Sequence, residues 1–319
     1  MSQTVTYSPA YTLVPTYECF NRCSYCNFRV QPTSDRWLSL DHAKTILDKS
    51  DAIEILILSG EVHPNSPRRD AWIKHIYALC QLSLATGFLP HTNAGPLSFE
   101  EMSQLKQVNV SMGLMLEQLT PALLDTVHRH APSKRPKIRL EQLHWAGQLQ
   151  IPFTTGLLLG IGETKADWED TLVEIATLHQ QYSHIQEVIL QPHQPGISQS
   201  EPGNPCDDET LLKAVHMART ILPHDIAIQI PPNLVRSHQM LLACLDAGVS
   251  DLGGIGPIDE VNPTYSHGSQ THLKDLLQSY GYDLKPRLPV YPQFDTWLSS
   301  TLQNKVQSWR TQLDSSDII

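Results

Sequence analysis

Cys19, Cys23 and Cys26 put three thiols within eight residues, Cys19-Phe20-Asn21-Arg22-Cys23-Ser24-Tyr25-Cys26, separated by three and then two residues. Thiolates are soft ligands suited to iron-sulfur clusters and to zinc. Three of them on one tight loop can hold three irons of a [4Fe-4S] cluster and leave the fourth iron to an external ligand. Two other chemistries compete: a zinc site completed by a Cys or His from elsewhere, and an electron-carrying cluster, which needs a fourth cysteine. The remaining cysteines stand apart. Cys206 is isolated, and Cys80 and Cys244 lie among the helix-like apolar positions of IYALCQL and MLLACLDAG, where cysteine acts as a small hydrophobe.

Short β-like runs alternate with amphipathic helical stretches from end to end, the pattern of a parallel sheet covered by helices. The runs are Tyr11–Thr16, Ile53–Leu58, Leu89–Thr92, Val110–Leu116, Phe153–Leu159, Glu187–Leu190, Ala227–Ile230 and Val249–Leu252. Helical patterns cover Leu40–Lys49, Ala71–Thr86, Glu100–Gln107, Arg139–Leu149, Ala166–Tyr182, Glu209–Leu222 and Leu234–Ala247, then Thr271–Tyr280 and Phe294–Leu313. Ser98 and Glu101 have capping-box spacing, and Gly87, Gly147 and Gly248 sit where helices would stop. Eight βα units with short connections and no linker predict one closed (β/α)8 TIM-type barrel domain over residues 1–319. Its cluster loop is placed at 17–29 and a C-terminal helical tail from about 269 to 319.

Chemistry in such a barrel gathers at the C-terminal strand ends. The residues there are the cysteine loop, Ser59-Gly60-Glu61, Asn93, Glu117, Gly160-Ile161-Gly162-Glu163-Thr164, Gln191 with His193, Pro231-Pro232-Asn233 and Gly253-Gly254-Ile255-Gly256. A formal charge of −10 argues against a nucleic-acid partner and for a small-molecule substrate. The basic stretch Arg129–Arg139, with His128 before it, reads as a solvated loop rather than one steering an anion. No secretory signal opens the sequence and no apolar run spans a bilayer, so no membrane role and a cytoplasmic location are expected.

The motif C-x-x-x-C-x-aromatic-C after the first strand, with Tyr25 as the aromatic, resembles the signature of radical S-adenosylmethionine (SAM) enzymes. The resemblance implies a [4Fe-4S] cluster held by Cys19, Cys23 and Cys26, with SAM on the open iron. Ser59-Gly60-Glu61 looks like the family's Gly-Gly-Glu element, with Ser for the first glycine, and assigns Glu61 to the methionyl amine. Glu117 resembles the strand-four carboxylate near the ribose or amine. Arg139, starting a helix at the same mouth, could pair with the methionyl carboxylate, while Gly156 and Gly160 would let backbone approach the adenosine.

Arg139–Thr164, Gln229–Leu234 and Asp251–Pro257 resemble one branch most, the 7,8-didemethyl-8-hydroxy-5-deazariboflavin synthases. That resemblance implies a ring-forming, ammonia-releasing lyase. It also implies a tyrosine-using partner subunit and a low-potential electron donor such as ferredoxin or flavodoxin. Gln191 and His193 are candidate substrate contacts, although the branch would carry a more basic residue at 193. Asp251, Tyr265 and His267 read as structural before they read as proton carriers. A related family reaction, by a tyrosine-using or biotin-synthase-like enzyme, and a non-catalytic zinc or iron-sulfur module are the alternatives.

Overall fold

The computed structural model describes residues 3–200 and 203–316. Eight parallel strands close a barrel: β1 (Gln3–Leu13), β2 (Glu54–Leu58), β3 (Leu89–Asn93), β4 (Ser111–Gly113), β5 (Phe153–Leu159), β6 (Ile185–Pro192), β7 (Ala227–Gln229) and β8 (Asp251–Ile255), with β1 pairing both β8 and β2. After each strand comes its helix: α1 (Leu40–Leu47), α2 (Arg69–Ala85), α3 (Phe99–Lys106), α4 (Pro136–Gln148), α5 (Lys165–Tyr182), α6 (Asp208–Ile221), α7 (His238–Asp246) and α8 (Gln270–Ser279).

Period-two alternation sorts the strand residues. Glu54, Leu56 and Leu58 of β2 line the interior, as do Glu187, Ile189 and Gln191 of β6, while Ile55 and Ile57 are buried in the surrounding apolar core. Six helices begin on a side-chain cap: Ser39, Ser98, Thr164, Asp207, Ser237 and Ser269 each accept from the backbone N–H three residues on. A cap of this kind contributes about 1 kcal/mol. Because these helices start at the barrel mouth, the caps also fix where each mouth loop ends.

Three expectations change. The first strand runs Gln3–Leu13 rather than Tyr11–Thr16; Pro9, which cannot donate to a ladder, and the register shift between Thr6 and Ser8 hide its first half from the sequence pattern. Gly147 does not stop α4. It lies inside the helix, where a β-carbon would stand 2.4 Å from the Tyr182 ring, so its smallness lets α4 and α5 approach. The tail is not wholly helical either: α8 is the barrel's eighth helix, and a ninth strand, β9 (Tyr282–Pro286), pairs in parallel with Gln3–Tyr7 before α9 (Ser300–Ser316).

The segment after β9 seals the barrel floor. Leu288, Val290, Phe294, Leu302 and Val306 pack on Ile53, Leu89 and Val110 at the strand starts. Arg287 reaches Asp251 through Nε at 2.6 Å and Nη2 at 2.8 Å, and also donates to Glu187, to which the Tyr291 hydroxyl donates at 3.1 Å. Asp251 therefore stands at the floor in a structural role.

Candidate functional site

The cysteine loop is held through its backbone. Gly60 N–H donates to the Thr16 carbonyl at 2.8 Å and Phe20 N–H to the Glu61 carbonyl at 3.0 Å, while Arg22 and Ser24 donate to His130 and Val127. A β-carbon at 60 would lie 2.1 Å from the Glu18 carbonyl oxygen, so only glycine lets the loop lie against the end of β2. Ser59, where a glycine was expected, is satisfied locally: its hydroxyl accepts from Trp72 Nε1 at 2.9 Å. Glu18, almost fully buried, accepts from Arg68 and from the Asp35 backbone.

Cys23 is buried and Cys19 and Cys26 are partly exposed. Burial pushes the Cys19 thiol up to about 11, with the Glu61 charge adding to it, and burial pushes Cys23 up to about 12. Thiolates at these positions need a bound cation, which is the environment that a metal or cluster exploits. The donor set therefore fits a thiolate-ligated cluster.

Beside the loop stand two ion pairs. Glu61 accepts from Arg139 Nη2 at 3.1 Å, Asn21 Nδ2 at 2.8 Å and the Ser133 hydroxyl. Lys134 pairs with Glu117, whose left-handed φ of 66° turns the chain at the end of β4. Burial works against the Glu117 carboxylate, but Lys134 and then Arg139 more than offset it, so its pKa falls below the usual glutamate value. Arg139 does not start a helix; it lies in the first turn of α4, 2% exposed, and spends three of its five N–H donors on Glu61, the Ser133 carbonyl and the Met115 carbonyl.

The basic stretch is only half solvated. Arg129, His130, Arg135 and Lys137 are exposed, whereas His128, Ser133 and Lys134 turn inward. Tyr25 donates or accepts at His128 Nε2, 2.8 Å away, and packs against Leu123, Leu158 and Ile161 around the end of β5. Burial, with Lys134 adding to it, lowers the His128 pKa to about 3, so its imidazole is neutral. Asn21, His128, Ser133 and Lys134 are the site residues that sequence reasoning missed. Asn21 lies inside the cysteine motif, and Ser133-Lys134 stand close before Arg139 in the chain.

Gly160 has φ 86° and its missing side chain faces Cys206, while a β-carbon on Gly156 would stand 2.3 Å from the Ile189 carbonyl oxygen. Turn geometry and strand packing thus require these glycines. Glu163 closes its own loop, accepting from the Gly160 and Ile161 backbones and from Trp168. Gln191 lines the barrel interior. His193 is buried beside Tyr25, with Nδ1 3.1 Å from the Asn204 carbonyl and Nε2 without a hydrogen-bond partner among the described residues.

Loops after β6 and β8 fasten over the mouth. Ser198 N–H donates to Asn27, Tyr265 to the Pro195 carbonyl at 2.8 Å, and Tyr17 to Glu260 at 2.7 Å. Tyr265 thereby has a structural partner. Among the described residues no helix is long and apolar enough to cross a membrane, and no three His, Cys, Asp or Glu side chains converge as ligands of one metal ion.

The family model of the radical SAM superfamily matches residues 13–175. The chain is 64% identical over 308 residues to 7,8-didemethyl-8-hydroxy-5-deazariboflavin synthase of Trichormus variabilis, covering 96% of this chain and 91% of that protein. The synthase of the same name from Trichodesmium erythraeum is 57% identical over 316 residues, with 98% and 99% covered. Among solved structures, the FeFe-hydrogenase maturase HydG from Carboxydothermus hydrogenoformans matches with a TM-score of 0.75 at 18% identity, covering 97% of this chain and 78% of that one. Methylornithine synthase (PylB) matches with a TM-score of 0.67 at 13% identity, covering 92% and 86%. At those identities the likeness concerns the fold alone.

Proposed function

The chain belongs to the radical SAM superfamily and, within it, to the 7,8-didemethyl-8-hydroxy-5-deazariboflavin synthases, and from this premise we propose that it closes the deazaflavin ring of that product. The substrate is 5-amino-5-(4-hydroxybenzyl)-6-(D-ribitylimino)-5,6-dihydrouracil, supplied by a tyrosine-using partner subunit. One SAM is consumed to methionine and 5′-deoxyadenosine, and ammonia leaves. The observation that carries this choice among family reactions is the near full-length identity to synthases of one name.

Cys19, Cys23 and Cys26 would hold the [4Fe-4S] cluster, fed by a low-potential donor such as ferredoxin or flavodoxin. When bound, the cluster supplies the one electron that cleaves the SAM sulfonium, generating the radical that takes hydrogen from the substrate's benzylic carbon. The protein's share is binding, orientation and exclusion of water. Glu61 accepts the methionyl ammonium, and the two donors left on Arg139 face the methionyl carboxylate. Glu117, held by Lys134, serves the ribose, while Tyr25 and the Gly160 turn wall the adenosine side. Gln191 and His193 touch the substrate. The fastened β6 and β8 loops keep other hydrogen donors out.

Two measurements test this. Adduct deuterated at the benzylic carbon is expected to pass its label into 5′-deoxyadenosine as deazaflavin fluorescence appears, because a primary carbon radical gains a stronger C–H bond than the benzylic one it breaks. Unlabelled deoxyadenosine alongside full deazaflavin formation would move the abstraction elsewhere. Separately, Glu61→Gln is expected to weaken SAM binding by about 1.5–3 kcal/mol, as for a hydrogen bond to a charged group, with iron content unchanged. Unaltered affinity would remove Glu61 from the SAM site.

A further inference from the structure

Beneath the ion pairs a cavity of about 190 Å³ runs down the barrel to the floor. That is less than the roughly 300–1,000 Å³ of a pocket enclosing a whole ligand, so it takes part of one. Thr12, Glu54, His91, Asn93, Gln191 and Gln229 line it. Among the described residues the side chains of Thr12, Glu54, Asn93, Gln191 and Gln229 form no hydrogen bond or ion pair, although Glu54 and Gln229 are buried. Side chains that line a cavity without a protein partner are free to hydrogen-bond whatever enters it.

The floor is richer in acceptors than in donors. Ser111 donates its hydroxyl proton to the Pro289 carbonyl at 2.6 Å, so His91 Nδ1, 2.7 Å from Ser111 Oγ, must donate to that hydroxyl oxygen. Burial keeps the His91 ring neutral, which leaves Nε2 a bare acceptor, 2.9 Å from where a β-carbon at Gly113 would sit. Glu54 adds a carboxylate. Arg287, the cation lining the floor, is spent on Asp251 and Glu187. Higher up, Asn93, Gln191, Gln229 and Thr12 both donate and accept.

A group filling this space must give protons at the floor, carry no negative charge, and offer donors and acceptors along its length. Uracil carbonyls would meet bare acceptors there, and a phenol has one hydroxyl for several partners. We infer that the barrel interior is a polyol subsite, which holds the ribityl chain of the substrate with its last two hydroxyls donating one to Glu54 and one to His91 Nε2. This rests on the reaction proposed above. A ribityl phosphate would be repelled by Glu54, so a phosphate ester on that chain must be hydrolysed before this step.

The test is calorimetric titration of the anaerobically reconstituted protein with a uracil bearing a ribitylamino group, with its ethylamino counterpart and with its ribityl phosphate. The ribityl compound is expected to bind at least tenfold tighter than the other two. Glu54→Gln, and independently Gln191→Ala, should each cut its affinity by about tenfold, the scale of one hydrogen bond in a buried site, and leave the ethylamino compound unchanged. Equal affinities in the wild type, or equal losses for both compounds in Gln191→Ala, would overturn the subsite. Tight binding of the phosphate would do the same. Ribityl-selective binding with no deazaflavin formed from the full adduct would instead remove the reaction and leave the subsite standing.

Discussion

Replacing Cys19, Cys23 or Cys26 singly by alanine is expected to abolish SAM cleavage, while Cys80→Ala and Cys244→Ala keep it. In the proposed reading each of the three is a ligand that the other cysteines cannot replace: Cys80 is fully buried against Thr92 and Asn109, and Cys244 is fully buried on α7. The barrel should survive the loop substitutions. The loop is fixed by backbone bonds to Gly60, Glu61, Val127 and His130 rather than by its sulfurs. With its pKa pushed up to about 12 the Cys23 thiol is neutral in the apo protein, so alanine there removes one small buried group and no charge. Iron and sulfide counts after anaerobic reconstitution, deoxyadenosine release and far-ultraviolet circular dichroism read the three consequences apart. Full cleavage by Cys23→Ala would end the cluster assignment. Lost cleavage with intact iron content would point to a cysteine acting on SAM instead.

The same loop marks the limit of what the sequence discloses. The cysteine spacing, the strand-end position of Glu61 and the short, wholly buried run of β5 are local patterns, and the barrel follows from them. β9 was invisible because its five residues end in proline and pair with the opposite terminus of the chain. Lys134 and His128 looked like members of a charged loop. Only the folded chain reveals which of those side chains meet Glu117 and Tyr25, because helix and strand periodicity carry no signal through an irregular segment. Asp251 was read as structural, as it is, but a strand's sequence does not say which partner crosses the floor to meet it.

Arg287→Met is expected to be the most damaging change to stability, lowering it by about 3–5 kcal/mol, because it leaves buried carboxylates without their cation. Arg287 sits between Asp251, which is fully buried, and Glu187, with the Glu54 charge acting on the same place. Burial, and then the Asp251 and Glu54 charges against the pull of Arg287, raise Glu187 from the ordinary 4.5 to about 7. The sign follows. Between about pH 4.5 and 7 the folded protein holds a proton that the unfolded chain has released, so this contribution is complete below pH 4.5 and is lost as pH rises through 7. Without Arg287 the main force lowering the Glu187 pKa is gone, which carries that loss to higher pH. The deficit of Arg287→Met in thermal midpoint should therefore be smaller at pH 5.5, where Glu187 can be neutral, than at pH 8. Adding Glu187→Gln should recover part of the loss at pH 8 and flatten its pH dependence. A deficit equal at both pH values, unmoved by the second substitution, would assign the floor's stability to the packing of Leu288 and Val290 beneath the strands rather than to its charges. Cluster content should be unaffected in either case, since the thiols stand at the opposite end of the barrel.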